Sequence, residues 1–333
     1  MTIRDIMVRL SFILPCYNVE RYIGACIDSL FRQDIPVDEY EVICVNDCSK
    51  DSTREIIAQY QQRFTNIRLI DHKQNMTAGG ARNTGMDVAV GEYIWFVDPD
   101  DFLKDNCIAE LLKRAEEGNL DIAMFERDVT NDMSGEVETI KNIYPDSDIY
   151  DGYSFLDRYF NKDVGQQSCV WLQLYRRRLL EDSILRYPLI RVSQDTIFAW
   201  KALFAAKRVQ SESQSRYVYR RNCGSATSNI YTAEKVYAAS VLSPYEMAIW
   251  IREGNIRTDY VPVIRKALKS DMSLLWKLYP KLDRENKEEL YALICKGSCK
   301  LRVLYQYLGG KKKVALMSRV LGMKIFNNLM LQK

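Results

Sequence analysis

The 333-residue sequence contains a single histidine, His72. One imidazole excludes sites that need two or three histidine ligands, such as a multi-histidine zinc centre. Because His72 stands at the end of a short apolar run, we expect an ordinary loop residue and assign it no role. The sequence also lacks internal repeats and any apolar run long enough to span a bilayer. What remains is an ordinary globular composition, with 47% apolar and 27% charged residues.

The nine cysteines form no regular framework. The first apolar run is broken by Arg4, Asp5 and Arg9, so we expect no secretory signal. An odd number of cysteines without such a segment favours a reducing compartment. We therefore expect free thiols and a cytoplasmic location.

Acidic residues are absent from the end of the chain, where nine Lys or Arg follow residue 295. The rest of the chain is acidic overall, although the formal net charge is +3. This asymmetry favours a localised anionic partner over general nucleic-acid binding. Residues 309–333 combine an apolar face with basic residues, which is typical either of a helix lying on an anionic membrane or of a terminal helix packed on the body.

Short apolar strands alternate with helical patterns in the first hundred residues. We predict strands over 8–15, 40–45, 67–70 and 92–97, and helices over 20–32, 49–60 and 78–90. Such alternation predicts a mostly parallel sheet covered by helices on both faces. Residues 128–151 are acidic and predict a loop, and helical patterns dominate from residue 232. We therefore predict an α/β domain over residues 8–228 and a helical region over 229–333.

Polar residues follow three of the predicted strands. Tyr17 and Asn18 follow the first strand, Asp47 follows the second, and an acidic turn follows the fourth. Ligands of parallel α/β sheets bind outside the carboxyl ends of the strands, so one crevice is expected to collect all three groups.

The acidic turn has the sequence Asp98-Pro99-Asp100-Asp101. Three carboxylates this close repel each other unless a cation or water neutralises them. Hard oxygen ligands suit Mg²⁺ or Mn²⁺, which bridge carboxylates to substrate phosphates and offset charge on a departing diphosphate. We expect Asp98 and Asp100 to bind the metal, Asp100 most directly. The alternative is a solvated acidic loop.

Four ordered blocks resemble glycosyltransferase family 2, whose members have the GT-A fold. The blocks are Ser11-Phe12-Ile13-Leu14-Pro15-Cys16-Tyr17-Asn18-Val19-Glu20, Val45-Asn46-Asp47-Cys48-Ser49-Lys50-Asp51-Ser52 (the family's V-D-D-G-S-x-D-S), Ala81-Arg82-Asn83-Thr84-Gly85 (A-R-N-x-G) and the acidic turn (D-S-D-D). The likeness covers roughly residues 8–228. It implies the GT-A fold and a nucleotide-sugar donor.

The resemblance implies roles on the donor side. Tyr17 would stack on a uracil ring, and Asp47 would accept its N3–H; the alternatives are a packing aromatic and a turn residue. Arg82 would pair with phosphate or with Asp98, or be a solvated helical residue. The other donor-side residues that the resemblance implies are Pro15, Asn18, Glu20 and Asn83.

The second half resembles the family at three further places. Ser193-Gln194-Asp195 resembles G-E-D, in which Asp195 aligns with the general base of inverting members, although Gln194 replaces the first acid. Trp171 would stack on an acceptor sugar, or else be buried. Arg220 would belong to a basic loop that closes over the diphosphate. Asp195 has the alternative of simply beginning a helix, where acids are favoured.

Together these features predict an inverting glycosyltransferase that uses a UDP-sugar and Mg²⁺ or Mn²⁺. The acceptor would be a saccharide, free or lipid-linked, in bacterial surface-polysaccharide synthesis. No Q-x-x-R-W motif is present, which favours addition of single sugars. The two rival predictions are a metal-dependent nucleotidyltransferase and a non-catalytic nucleotide-sugar-binding protein.

Overall fold

The computed structural model describes residues 7–131, 137–140, 148–161, 169–221, 232–253, 260–297, 299–301 and 303–304. The chain divides into two compact units, Met1–Ser225 and Ala226–Lys333. The eight cysteines that the described ranges include are free thiols, as expected.

The first half of unit 1 contains a parallel sheet with the strand order β3-β2-β1-β4. Its strands are β1 (Leu10–Cys16), β2 (Tyr40–Asn46), β3 (Ile67–Asp71) and β4 (Tyr93–Phe96). The helices between them are α1 (Ile23–Leu30), α2 (Thr53–Arg63) and α3 (Thr77–Val88). Every residue of β1, β2 and β4 is buried, because helices cover this sheet. The predicted strands and helices of this region are confirmed.

The sequence predicted that β1 ends at Pro15, but the strand continues to Cys16. The carbonyl of Ile13 accepts a hydrogen bond from the β4 side, and the carbonyl of Cys16 accepts one from the β2 side. Alternate residues of a strand direct their backbone groups to the same side, so the backbone nitrogen of Pro15 faces β4, as that of Ile13 does. Strand β4 ends opposite Ile13, at Phe96. The missing N–H of Pro15 therefore costs no ladder hydrogen bond.

The second half of the sheet is mixed. Its strands are β5 (Phe102–Leu103), β6 (Ile122–Asn131), β7 (Val137–Ile140), β8 (Gln173–Arg176) and β9 (Val209–Arg221). The order continues from β4 as β8-β6-β9-β5, and β7 pairs with β6. Among the described strands of this half, the β6–β9 pairing is the parallel one, and the others are antiparallel. The predicted α/β class with a helix-flanked sheet is confirmed, and the parallel pairing dominates in the first half.

The prediction of a loop over 128–151 is wrong where β6 and β7 occupy that range. The loop was predicted because this segment is rich in acidic side chains, which usually lie in solvent. Asp128 is 6% exposed and is paired with Nζ of Lys104 at 2.8 Å, so its charge does not require a solvated loop.

Two glycines allow α3 to pack closely against neighbouring elements. The remaining helices of unit 1 are α4 (Ala109–Glu117), α5 (Gly152–Asn161), α6 (Arg177–Asp182) and α7 (Gln194–Ala205). A Cβ at Gly85 would lie 2.4 Å from Ile13 of β1, and a Cβ at Gly79 would lie 2.3 Å from Gln194. These two glycines therefore allow α3 to lie against β1 and against the start of α7.

The described residues of unit 2 form helices joined by short links such as 282–283, as predicted for the region after residue 232. Its helices are α8 (Ala233–Tyr237), a π-helical turn (Ala238–Leu242), α9 (Ser243–Arg252), α10 (Val261–Leu278) and α11 (Arg284–Lys296). Asp283 caps α11 by accepting from the backbone N–H of Asn286 at 2.8 Å. Within the described residues, no helix combines the length and apolarity needed to cross a membrane. The predicted amphipathic tail, residues 309–333, lies outside the described residues.

Candidate active site

The polar turns after β1, β2 and β4 lie side by side, as the predicted crevice requires. The backbone N–H of Asp47 donates to the carbonyl of Cys16 at 2.8 Å, which joins the turns after β1 and β2. The N–H of Val97, at the end of β4, donates to the carbonyl of Ile13 at 3.0 Å. Parallel register alone therefore brings the three turns to one edge of the sheet.

Arg82 of α3 binds two of the predicted site carboxylates. One terminal nitrogen lies 2.6 Å from Oδ1 of Asp195, and the other lies 2.7 Å from Oδ1 of Asp98. The guanidinium is 3% exposed and lies 5.3 Å from the ring centre of Tyr187. We call Arg82, Asp98 and Asp195 the arginine cluster. It joins the turn after β4 to the first turn of α7, two places that lie far apart in the sequence.

Asp195 is a partly exposed carboxylate whose pKa is shifted. Its side chain is 34% exposed, so water and ligands can reach it. Loss of solvation raises the pKa of Asp195, Arg82 opposes that rise, and Asp98 adds to it. Asp195 also lies in the first turn of α7, as the alternative interpretation required. A carboxylate with a raised pKa is a stronger proton acceptor than an ordinary aspartate.

Asp98, Asp100 and Asp101 of the acidic turn have different surroundings. Asp98 is 25% exposed and is paired with Arg82, and Asp100 is half-buried. Asp101 is 1% exposed and accepts from the hydroxyl of Tyr217 at 2.8 Å and from the backbone N–H of Arg220 at 2.7 Å. Burial raises the pKa of Asp101 well above its usual range. Asp101 therefore fastens β9 to the turn.

The metal prediction can be tested against the donor atoms in the turn. Across the described part of the chain, no three His, Cys, Asp or Glu side chains converge as a complete metal site. Magnesium sites commonly use one or two carboxylates and take the remaining ligands from substrate phosphates and water. Asp98 and Asp100 fit a site of that incomplete kind.

Asp47 is nearly buried, and its carboxylate is already oriented by the protein. It is 2% exposed, and Oδ1 accepts from the backbone N–H of Met76 at 2.7 Å. Nδ1 of His72 lies 2.7 Å from the same oxygen, and Nε2 of His72 lies 2.9 Å from Oγ1 of Thr84. The sequence assigned His72 no role, and the structure places it in a loop with both ring nitrogens paired. No sequence spacing could have indicated this contact, since the pairing of β2 with β3 creates it.

The loop after β1 has one exposed aromatic and two residues that bind the neighbouring loop. Tyr17 is 47% exposed, so its ring is accessible to a stacking partner. Oδ1 of Asn18 accepts from the backbone N–H of Lys50 at 2.8 Å, and Oε2 of Glu20 accepts from that of Ser52 at 2.9 Å. In this structure Asn18 and Glu20 thus position the loops around the crevice, and Pro15 lies within β1.

Asn83 holds the segment that leads to α7. Its side-chain oxygen accepts from the backbone N–H of Tyr187 at 2.8 Å, and its side-chain nitrogen donates to the carbonyl of Tyr187 at 3.0 Å. The side-chain amide is thus occupied at both ends. Asn83 thus positions the backbone of Tyr187. The donor contact that the resemblance implies for Asn83 stays a prediction.

The structure places Trp171 in the core. Its side chain is in the buried class, at 8% exposure, and its ring stacks with Tyr217 at 4.6 Å and with Tyr219 at 5.6 Å between centroids. This corrects the prediction of an acceptor-stacking face and supports the alternative of a buried tryptophan. The residue contributes packing beside the crevice.

Arg220 lies near the end of β9, where the sequence predicted a loop, so this prediction is corrected. Its backbone N–H is held by Asp101, and its guanidinium carbon lies 5.3 Å from the ring centre of Tyr22 and 5.1 Å from that of Phe102. Residues 222–225, the rest of the segment that resembles the family's basic loop, lie outside the described residues.

Two sites occupied by glycine in the family have left-handed backbone here. Cys48, at the family's V-D-D-G-S glycine, has φ of 65°, and Ser193, at the G-E-D glycine, has φ of 64°. The fold therefore keeps the backbone conformation for which glycine is suited, although other residues occupy the positions.

Comparison with known proteins agrees with these features. The family model described as glycosyl transferase family 2 matches residues 11–184. The poly(ribitol-phosphate) beta-glucosyltransferase of Bacillus spizizenii is 30% identical over 214 residues, which are 64% of this chain and 32% of that protein. The putative glycosyltransferase EpsH of Bacillus subtilis is 30% identical over 261 residues, 75% of this chain and 71% of that protein. The matched region thus spans about a third of one relative and most of the other.

Solved structures show the same fold. The crystal structure of S. aureus TarS 1-349 aligns with a TM-score of 0.72 at 20% identity, and the alignment covers 96% of this chain and 90% of that one. The same protein in complex with UDP-GlcNAc aligns with a TM-score of 0.74, with the same coverage and identity. With its strand-end crevice, its ordered sequence blocks and a family match over more than half its length, the chain belongs to glycosyltransferase family 2.

Proposed function

We propose that this protein is an inverting glycosyltransferase that moves a sugar from a UDP-sugar to an acceptor hydroxyl, with Mg²⁺ or Mn²⁺ bound at the acidic turn. The observation that carries the proposal is the arginine cluster. One buried guanidinium holds a carboxylate from the turn after β4 and a carboxylate from the start of α7. The anomeric carbon of a donor would lie between these two groups.

The donor side of the proposal rests on Tyr17 and Asp47. Tyr17 offers an exposed ring for stacking on a pyrimidine, and Asp47 offers a fixed hydrogen-bond acceptor. The crystal structure of TarS in complex with UDP-GlcNAc has the same fold and supports a UDP-sugar as the donor.

Asp100 and Asp98 would bind the divalent cation together with oxygens of the donor diphosphate. When bound, the cation supplies Lewis-acid stabilisation of the negative charge on the departing UDP. Asp98 remains paired with Arg82, which holds its carboxylate in one orientation for this role.

Asp195 would take the proton of the acceptor hydroxyl. Arg82 donates to Oδ1 of Asp195, and within the described residues the structure gives no hydrogen bond to Oδ2, which an acceptor could therefore use. The acceptor oxygen forms a bond to the anomeric carbon from the face opposite UDP, the bond to the UDP oxygen breaks, and the hydroxyl proton passes to Asp195. Attack from the opposite face inverts the configuration at this carbon.

The names of the relatives support a class of acceptor. One of them is named for transfer to poly(ribitol-phosphate). We therefore propose a surface polysaccharide or a polyol-phosphate polymer, free or linked to lipid, as the acceptor, and synthesis at the cytoplasmic side of the membrane. Flotation with anionic liposomes, with and without residues 309–333, tests the membrane contact predicted for the tail. Equal recovery of both forms in the soluble fraction would contradict it.

Release of UDP from a panel of UDP-sugars with Mn²⁺ tests the function. We expect the unaltered protein to release UDP and the Asp195→Asn protein to do so about 100-fold more slowly, the lower range for loss of a general base. Asp182→Asn is the matched control, because Asp182 is 67% exposed and its ion pair within the described residues is with the exposed Arg178. Equal rates in Asp195→Asn and Asp182→Asn would refute the assignment of the base. UDP binding without turnover in the unaltered protein would favour a non-catalytic binding protein.

A further inference from the structure

His72 makes a contact that the sequence did not predict. It joins Asp47, on the proposed nucleotide side of the crevice, to Thr84 on α3. Its side chain is 8% exposed, and both ring nitrogens lie within hydrogen-bond distance of a partner. Nδ1 faces the Asp47 carboxylate, and Nε2 faces the Thr84 hydroxyl on α3. The backbone N–H of His72 also donates to the carbonyl of Asn46 at 2.9 Å, which fixes the start of this loop against the end of β2.

The partners determine which ring nitrogen carries the proton. An ionised carboxylate only accepts hydrogen bonds, so Nδ1 must carry the proton that it shares with Asp47. In the neutral ring, Nε2 is then an acceptor, and the Thr84 hydroxyl donates to it. Thr84 therefore stabilises the tautomer in which His72 donates to Asp47.

Asp47 has a defined pair of donors on one oxygen. Met76 N–H and His72 Nδ1–H both donate to Oδ1, and within the described residues the structure gives no hydrogen bond to Oδ2. A carboxylate with two donors on one oxygen cannot rotate freely, and its second oxygen keeps one direction. That oxygen is the acceptor that a base bound beside Asp47 would use.

We propose that His72 is a positioning residue that orients Asp47 as a hydrogen-bond acceptor and thereby sets the preference for uracil over cytosine. The inference rests on the proposed UDP-sugar function. Uracil presents an N3–H donor to Oδ2, whereas N3 of cytosine is an acceptor and meets a carboxylate that has no proton to give. A buried polar group left unpaired by the wrong base discriminates strongly against it.

The test is the ratio of the dissociation constants for CDP and UDP, measured by calorimetry on each full-length variant with Mn²⁺ present. We expect the unaltered protein to prefer UDP. His72→Leu should lower the ratio about 10-fold, which corresponds to 1.4 kcal/mol. A merely structural role of His72 would lower the active fraction and the melting temperature without changing this ratio, because both ligands bind to the same folded molecules.

Three further variants separate the outcomes. Thr84→Val removes the hydroxyl and should lower the ratio in the direction of His72→Leu, whereas Thr84→Ser keeps the hydroxyl and should keep the ratio. Asp47→Asn should reverse the preference towards CDP, because His72 and Met76 retain the amide oxygen at the Oδ1 position and turn the NH₂ group towards N3 of the base.

The outcomes are distinguishable. If Asp47→Asn changes the ratio while His72→Leu and Thr84→Val leave it unchanged, the positioning role of His72 is overturned and the donor proposal stands. If Asp47→Asn leaves the ratio unchanged, Asp47 does not contact the base, and this inference falls with that assignment. Absence of UDP binding in the unaltered protein overturns the UDP-sugar proposal itself.

Discussion

Replacing Arg82 by methionine tests the energetic importance of the arginine cluster. The substitution removes two charge-assisted hydrogen bonds, of 2.6 Å to Asp195 and 2.7 Å to Asp98, and keeps a long unbranched side chain in the cavity. Asp98 and Asp195 then lie close together without the guanidinium that neutralises their negative charges. We expect the native state to lose stability, and we expect the loss to depend on pH.

The magnitude follows from burial. Breaking a buried ion pair by removing one partner costs about 3–5 kcal/mol, whereas an exposed pair contributes at most about 1 kcal/mol. Arg82 is 3% exposed, but Asp98 and Asp195 are 25% and 34% exposed, so solvent screens part of the remaining repulsion. We expect a loss of about 3 kcal/mol in the free energy of unfolding at neutral pH.

The pH dependence has a defined sign. The pKa of Asp195 is already raised by loss of solvation, and Arg82 opposes that rise, so removing Arg82 raises the pKa further. A carboxyl with a raised pKa binds a proton in the native state at pH values where the unfolded chain has lost it. The stability of Arg82→Met should therefore increase as the pH falls from about 7 towards 5. In the unaltered protein Arg82 limits this effect.

Urea unfolding followed by far-UV circular dichroism, at both pH values, measures these quantities. Arg178→Met is the matched control, because Arg178 is 82% exposed and its pair with Asp182 spans 3.2 Å; its loss should stay below about 1 kcal/mol. Adding Asp195→Asn to Arg82→Met removes one of the two repelling charges and should recover stability. The reasoning is refuted if Arg82→Met costs no more than the control, or if the double variant is no more stable than Arg82→Met.

Four further predictions concern single positions. Cys48→Gly should stabilise the protein by about 0.5–1 kcal/mol in urea unfolding, since the left-handed φ of 65° disfavours residues other than glycine; a loss of stability would contradict this. Gly152→Ala should cost about 3 kcal/mol in the same assay, because its Cβ would lie 1.5 Å from the carbonyl oxygen of Leu203 in α7, and a loss below about 1 kcal/mol would show that the helices can separate. Tyr17→Ala should weaken UDP binding about 10-fold in calorimetry while Tyr17→Phe binds normally, and equal affinities in both would exclude stacking. Asp100→Ala should abolish the gain in UDP affinity on adding Mn²⁺, and an undiminished gain would remove Asp100 from the metal site.

Local sequence patterns predicted much of the fold of unit 1. The apolar runs that became β1, β2 and β4 are buried over their whole length, and a run of that kind between helical periodicities has few alternatives to a covered parallel sheet. The polar turns after these strands then had to meet at one edge, because parallel strands place their carboxyl ends together.

Individual roles were harder to predict. Trp171 stands in a motif that resembles an acceptor-binding segment, yet packing against β9 buries it. The acids of residues 128–151 suggested a solvated loop, but Asp128 finds Lys104 across the fold. The local sequence shows the type of a side chain but not its exposure to solvent. Both assignments required that exposure, which tertiary packing sets.

The sequence by itself determined the alternation of strands and helices in unit 1, the family blocks and the place where the polar turns gather. These properties depend on spacings of a few residues, through hydrophobic periodicity and the geometry of parallel strands. Only the tertiary structure decided that Arg82 binds Asp195, which is 113 residues from it in the sequence, as well as Asp98. The same holds for the contact of His72 with Asp47, which is 25 residues from it. Each contact requires two chain segments to be brought together by sheet pairing and by close helix packing, and no local pattern records which side chains then meet.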